Sequence, residues 1–442
     1  MNTISEEIYK RACNVLPGGV SRNTVYRKPH PDYATSASGC RITDVDGVER
    51  IDFANNMASL IHGHAFPPIV EAVIEQLRKG TAYTMASEIE VTLASHLCSR
   101  VEGVERVRFV NSGTEAVMAM IKASRAFTGR PKIAKAEGAY HGTYDFAEIS
   151  QVANPSNWGP VDKPASVPLA YGTPEGVLKD VIIFPFNDIE RTISILDQNA
   201  DQIACVLIDP VPHRVGLVPG RQEYIEALYN WTRRNGALLV FDEVVTLRVN
   251  YGGAQENYPV RPDLTAMGKI IGGGFPVGAF GGRADVMQVL DPRETKLLFP
   301  HSGTFSANPI TMTAGYVALD YFDKEAVRKL NALTKRAINQ IEEAVKITDI
   351  PVSLTGAGSM FRIHLTGTPP SNYREAYQSK DVTGVINELL DIMYHQERIL
   401  MINTLACMFS TAITESEVDK LTEGLLKAFR ILKPKIDNLH KE

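Results

Sequence analysis

The chain has 442 residues, 44% hydrophobic and 22% charged, enough for a sizeable core and for more than one domain. A formal net charge of −5 excludes a general attraction to nucleic acid or anionic membrane, and five scattered cysteines without a CxxC pair exclude a disulfide framework or a cysteine zinc site. The N-terminal stretch lacks an apolar signal segment and no apolar run approaches the ~18 residues of a membrane helix, so a cytoplasmic enzyme or binding protein is expected.

A short amphipathic start is followed by the Pro/Gly-punctuated segment "LPGGVSRNTVYRKPHPDY". "CRITDVDGVERIDFANN" then reads as a hairpin around the turn dipeptide Asp46-Gly47. From about residue 68 to 345, helical stretches such as "PIVEAVIEQLRKG" and "EVTLASHLCSRV" alternate with apolar runs such as "RVRFVNS", "ACVLIDP" and "ALLVFDEV". Continuous apolar strands separated by helices predict a parallel sheet covered on both faces. Past about 310, a helix over "ITMTAGYVALDYF", charged helices and the short strands of "GSMFRIHL" and "CMFSTAI" predict a smaller α+β domain.

In open α/β sheets ligands bind at the carboxyl ends of strands, so polar residues directly after apolar runs are the candidates. In "RVRFVNSGTEAV", Ser112, Gly113 and Thr114 occupy the first turn of a helix, a ready anion site; a plain N-cap is the alternative. In "ALLVFDEV", Asp242 ends a strand and demands a cationic or hydrogen-bonding partner, such as a protonated ring nitrogen; a structural ion pair or an N-cap is the alternative. In "MGKIIGGGFPVG", Lys269 stands among small and apolar residues, where desolvation makes it a usable amine nucleophile; a snorkelling surface lysine is the alternative. Phosphate site, ring-nitrogen partner and amine together describe pyridoxal 5'-phosphate (PLP). His62 and His64 in "IHGHAF" have no cysteine or acid at ligand spacing, so loop packing is expected and no metal.

Five segments, "FVNSGTEAVMAMI", "GAYHGTYD", "LVFDEVVT", "PDLTAMGKIIGGGFPVGAFGG" and "HSGTFSANPITMTAGYVAL", resemble the class III aminotransferases of PLP fold type I. Within that family the glutamate-1-semialdehyde aminomutases and the related β-amino-acid aminotransferases are most similar. The resemblance runs from about residue 15 to 430. It implies an α/β fold: a large domain at 56–310 with a mostly parallel seven-stranded sheet, an N-terminal segment at 1–55 that joins the small domain, and an α+β small domain at 311–442. It implies Lys269 as Schiff-base lysine, Asp242 on the pyridine nitrogen, and Ser112, Gly113 and Thr114 at the phosphate. Tyr140, with His141 beside it, and Val244 would flank the ring, and Thr304 would reach the neighbouring subunit's phosphate in a homodimer. The implied reaction is ping-pong transfer of an amino group from an amine or β-amino acid to a keto acid through pyridoxamine phosphate, with an aminomutase-like isomerase or a broad amine transaminase as the alternatives.

Departures from the family pattern narrow the substrate. Leu405 stands where the aminomutases carry a glutamate, and "DEVVTLRV" shares a one-residue shortening with the β-amino-acid enzymes. Arg22 stands five residues after the proline of "PG", as their carboxylate-binding arginine does, whereas Thr404 replaces their second arginine. "DPVPHRVG" places Asp209, His213 and Arg214 in a normally different motif. Arg22 or Arg214 is expected to contact a substrate carboxylate, with Arg248 a weaker candidate and Met57 and Tyr83 lining the pocket.

Overall fold

The computed structural model describes residues 3–440. Strands β1 (Ala34–Ser38), β2 (Arg41–Asp44) and β3 (Glu49–Asp52) form an antiparallel meander. The β2–β3 turn falls at Asp46-Gly47: Asp44 Oδ1 accepts the N–H groups of Asp46 and Val48, and Gly47 takes a φ of 82° that few other residues tolerate.

The main sheet has seven strands: β4 (Arg106–Val110), β5 (Lys132–Ala136), β6 (Val181–Phe184), β7 (Ile203–Ile208), β8 (Leu238–Asp242), β9 (Leu264–Gly268) and β10 (Gly278–Gly282). Their order is β4-β10-β9-β8-β7-β5-β6, and only β10 runs against its neighbours. Strands β7, β8 and β9 are buried along their whole length, because side chains of alternate parity meet helices on opposite faces. Cys205, Leu207 and Val240 share a core with Val117, Met120 and Ile121 of the helix Gly113–Thr128. Val206, Leu239 and Phe241 share another with Tyr224, Leu228 and Trp231 of the helix Gln222–Asn235.

A third, antiparallel sheet joins β11 (Ser353–Ala357), β12 (Met360–His364) and β14 (Ala406–Met408), while β13 (Ile399–Leu400) pairs in parallel with β3. The chain's beginning and its last third thus share one sheet. Of "CMFSTAI" only Cys407 and Met408 lie in the strand, and the Phe409 N–H closes its end on Ser359 O. The long helices Lys324–Thr348 and Glu415–Asn438 pack on each other outside these sheets. Among the described residues no helix is long and apolar enough to cross a membrane.

Candidate active site

Six of the seven main-sheet strands point the same way, so their carboxyl ends make one edge. Ser112 follows β4, Tyr140 and His141 follow β5, Asp209 follows β7, Asp242 ends β8 and Lys269 follows β9. The topology brings together residues up to 157 positions apart by nothing more than strand order (269 minus 112).

At Ser112 the N-cap reading holds, and the cap leaves other donors open for an anion. The Ser112 hydroxyl caps the helix by accepting from Glu115 N at 3.1 Å, and the Glu115 carboxylate reaches back to Asn111 N at 2.7 Å. The N–H groups of Gly113 and Thr114 lie in the first turn, where a helix offers no internal acceptor, and they supply the anion-binding end. Small residues are required here. A Cβ on Gly113 would lie 2.8 Å from Val244 Cγ1, and one on Gly268 3.2 Å from the same atom. Val244 therefore fills the space between the helix start and the residue before Lys269.

The acids of "FDEVV" divide the work. Asp242 is buried, its Oδ2 bonded to His141 Nδ1 at 2.8 Å and its Oδ1 accepting Val244 N at 3.0 Å. Burial holds the imidazole below its ordinary proton affinity, and the other ring nitrogen, Nε2, is buried without a hydrogen bond. Glu243 faces away and accepts Ala254 N, Gln255 N and Gln255 Nε2 at 2.6, 2.9 and 3.0 Å; burial pushes it up to about 7. Asp209, also buried, is raised by desolvation and by the nearby charge of Asp242.

Lys269 takes a left-handed backbone, φ 52°, directly past the end of β9. Burial lowers its amine's proton affinity, Arg248 and Arg22 lower it further, and Asp242 and Asp209 oppose them. It is a desolvated amine whose proton affinity is lowered chiefly by burial.

The loop carrying Tyr140 and His141 is held from below and from the side. Lys135 is wholly buried, donating to Ala139 O at 3.0 Å and Ile149 O at 2.6 Å, and burial brings its pKa down to about 7. Arg374 makes a two-pronged bond to buried Glu137 at 2.8 and 3.0 Å and stacks on Trp158. Tyr373 covers Gly138, where any Cβ would fall 1.9 Å from its ring, and donates its hydroxyl to Ala153 O.

The arginines diverge. Arg214 is exposed, with its guanidinium carbon 5.4 Å from the centre of the Tyr140 ring. His213 beside it is pushed down to about 3 by burial and by the cations Arg362, Arg214 and Lys269; its Nε2 lies 3.3 Å from Thr404 Oγ1. Arg22 is exposed and donates from Nη1 to Asn56 Oδ1 at 2.7 Å. Arg22 and Met57 line one cavity of about 990 Å³ that also takes in Asn56, Leu60, His64 and Tyr394. Arg248 does not fit a substrate contact, correcting that expectation. It is fully buried, and each of its three nitrogens already donates to an oxygen of the fold, at Ser359 Oγ, Ala58 O and Phe409 O.

Tyr83 and Thr304 line a separate cavity of about 190 Å³, so the single chain does not bring them into the cavity of Arg22 and Met57. A Cβ on Gly303 would nevertheless sit 3.5 Å from Asn111 Nδ2, beside the helix start. His62 and His64 are engaged in packing: His62 bonds Thr411 Oγ1 and Ala318 O and stacks on Phe66, and His64 bonds Asp52 at 2.8 Å. Sequence reasoning missed Asn56, Lys135, Glu137, Tyr373 and Arg374. Only "KAEGAY", with a lysine and an acid inside an apolar context, carried any signal for them.

The model of the family "Aminotransferase class-III" matches residues 25–429. A glutamate-1-semialdehyde 2,1-aminomutase of Methanothermobacter thermautotrophicus is 37% identical over 414 residues, 93% of this chain and 95% of the relative. Among solved structures, an omega-transaminase from Sphaerobacter thermophilus superposes with a TM-score of 0.95 at 44% identity, over 97% of this chain and 98% of that one. A beta-phenylalanine aminotransferase from Variovorax paradoxus gives 0.86 at 29% identity, over 97% and 94%.

This chain belongs to the class III aminotransferase family; it is a PLP-dependent transaminase with the fold type I architecture.

Proposed function

We propose that the enzyme transfers the amino group of a carboxylate-bearing amine, a β-amino acid in the first place, to a keto acid, with the carboxyl edge of the main sheet as its site. The observation that carries this is Lys269, a desolvated amine on the strand next to the buried Asp242, with Val244 packed between the residue before it and the helix start at Gly113.

The residues present fit PLP. The open N–H groups of Gly113 and Thr114 with the hydroxyl of Thr114 suit its phosphate. Asp242, fixed by His141, suits its ring nitrogen, and Val244 and Tyr140 suit its two faces. When bound, PLP supplies an aldehyde for the amine and an electron-accepting ring. The chain supplies the rest. Asp242 keeps a proton on the ring nitrogen by its charge, and His141 fixes the carboxylate's direction. Lys269 takes a proton from the substrate carbon and returns it, burial loosening the amine's hold on that proton. Arg22, in the cavity of about 990 Å³, contacts the carboxylate, and Arg214 beside Tyr140 is the second cation within reach.

An aminomutase-like isomerisation is the second reading, supported by the 37% identity to a protein of that name. Leu405 stands against it: the position where those enzymes resemble one another in carrying an acid holds a buried leucine. We further propose a homodimer. Thr304 and Phe305 are exposed beside Tyr83 and Met85, an apolar rim that a second copy would cover while Thr304 reached its phosphate. The division into 1–55 with 311–442 and 56–310 accords with the β3–β13 pairing.

A panel test decides the class. The PLP-loaded, yellow protein is mixed with amines, α-amino acids and β-amino acids, and the visible band is followed, then restored with pyruvate or 2-oxoglutarate. Bleaching by β-amino acids and recovery on adding a keto acid are expected. Turnover with no acceptor would favour the isomerase, and no bleaching by any amino compound would end the transaminase reading. Unchanged affinity for carboxylate substrates in both Arg22→Ala and Arg214→Ala would remove the arginine assignment.

A further inference from the structure

Residues Asn55, Asn56, Met57 and Ala58 have φ of 44°, 46°, 56° and 70° in succession, a full left-handed turn without a glycine. Left-handed helical backbone crowds the Cβ of an L-residue against the following carbonyl, with asparagine the mildest case. Such a run persists only where its surroundings over-determine it.

Here they do. Asp52 Oδ1 accepts both Ala54 N and Asn55 N, at 2.8 and 2.9 Å, and Asn55 Nδ2 bonds Met408 O on β14 at 2.5 Å. Ala58 N and Ser59 N close the turn onto Ala54 O and Asn55 O. Arg248 bonds Ala58 O at 3.3 Å and Ser359 Oγ at 2.9 Å, and also Phe409 O, with no carboxylate among its described partners. A fully buried guanidinium spent on three oxygens of three separate segments is a costly clamp, and one of those oxygens, Ala58 O, belongs to this turn.

The turn's product is an exposed Asn56 on the wall of the large cavity. Its Nδ2 donates to Ser59 Oγ at 3.0 Å, which orients the amide, and its Oδ1 accepts from Arg22 Nη1 at 2.7 Å. One of the five guanidinium N–H groups is thereby used, and a two-pronged fork remains for an anion. A neutral amide holds the arginine without cancelling its charge, which an aspartate would do.

We propose that Asn56, presented by the Arg248-clamped left-handed turn, is the positioning residue that aims Arg22 and so sets the enzyme's preference for carboxylate-bearing amines. This rests on the reading of Arg22 as the carboxylate contact.

The test compares 3-amino-3-phenylpropanoate with 1-phenylpropylamine, the matched amine without the carboxylate, on the PLP-loaded wild type, Asn56→Gly, Arg22→Ala and the double variant. Glycine takes the left-handed backbone without strain and adds no charge to the cavity wall, and thermal melting checks that each variant folds. In Asn56→Gly the ratio of KM for the acid to KM for the amine should rise at least about tenfold, the size of one lost charge-assisted contact. The acid's dissociation constant, read by bleaching of the visible band, should weaken in parallel. The double variant should match Arg22→Ala alone, because Asn56 acts only through Arg22. If Arg22→Ala leaves the ratio unchanged, the carboxylate reading fails. If Arg22→Ala raises it and Asn56→Gly does not, or if the two effects add, the positioning role fails while that reading stands.

Discussion

The carboxyl edge of the main sheet and the mouth above it are built by opposite means. At the edge, Asp242 and Lys269 lie within two residues of a strand end, in a frame where Asp242 pairs with Ala266 and Gly268 with Gly278. Ladder spacing alone positions them, and glycines with no room for a Cβ set the distances to Val244. At the mouth, Arg22 lies in an irregular segment, Asn56 in a strained turn, and their anchors come from residues 248, 359, 408 and 409. The groups proposed for the chemistry sit on rigid sheet geometry, whereas those proposed to select the substrate hang on side-chain hydrogen bonds. The chemistry can therefore stay fixed while the mouth is re-cut for another amine.

The sharpest break in that comparison is Lys269→Ala. Turnover should fall by at least about 10⁴-fold, since the amine's proton transfer is lost outright, while the Arg22–Asn56 mouth stays formed. Retention of more than a few per cent of wild-type turnover would refute the edge as the reacting centre. Next comes Arg374→Ala, which asks how far the edge depends on a segment outside its sheet. It strands the Glu137 carboxylate in a buried site, and denaturant unfolding of the PLP-loaded enzyme should show a loss of about 3 to 5 kcal/mol. PLP dissociation should also quicken, because the loop bearing Tyr140 and His141 loosens; a stability loss without it would make Arg374 structural only.

The smallest effect is a slope. Lys135 is held at about 7 in the fold against an ordinary lysine value near 10.4 in the unfolded chain. Between those values the unfolded chain binds the extra proton, so stability from this group is full above about pH 10 and is lost as pH falls toward 7. Lys135→Met should flatten the pH–stability profile across that window while leaving the KM ratio of acid to amine donors untouched. An unchanged slope would mean that Lys135 is charged in the fold.

What the sequence determined by itself is the part governed by local rules. Apolar runs with an acid or a small polar residue at the end marked β4, β7 and β8, the lysine among glycines marked the turn after β9, and strand order then set Ser112, Asp242 and Lys269 on one edge. Period, capping and turn chemistry act over a few residues, so they can be read in one dimension. Tertiary structure alone decided the rest. Nothing near "FANNMAS" announces a left-handed turn, because each of its anchors but Asp52 lies far along the chain. Arg22, Arg214, Arg248 and Arg374 are alike in sequence, yet one is buried without an acid, one is paired with Glu137, one stacks on Tyr140 and one faces an open cavity. An arginine's role follows from which acceptors surround it and how much water remains, and both are properties of the packed chain.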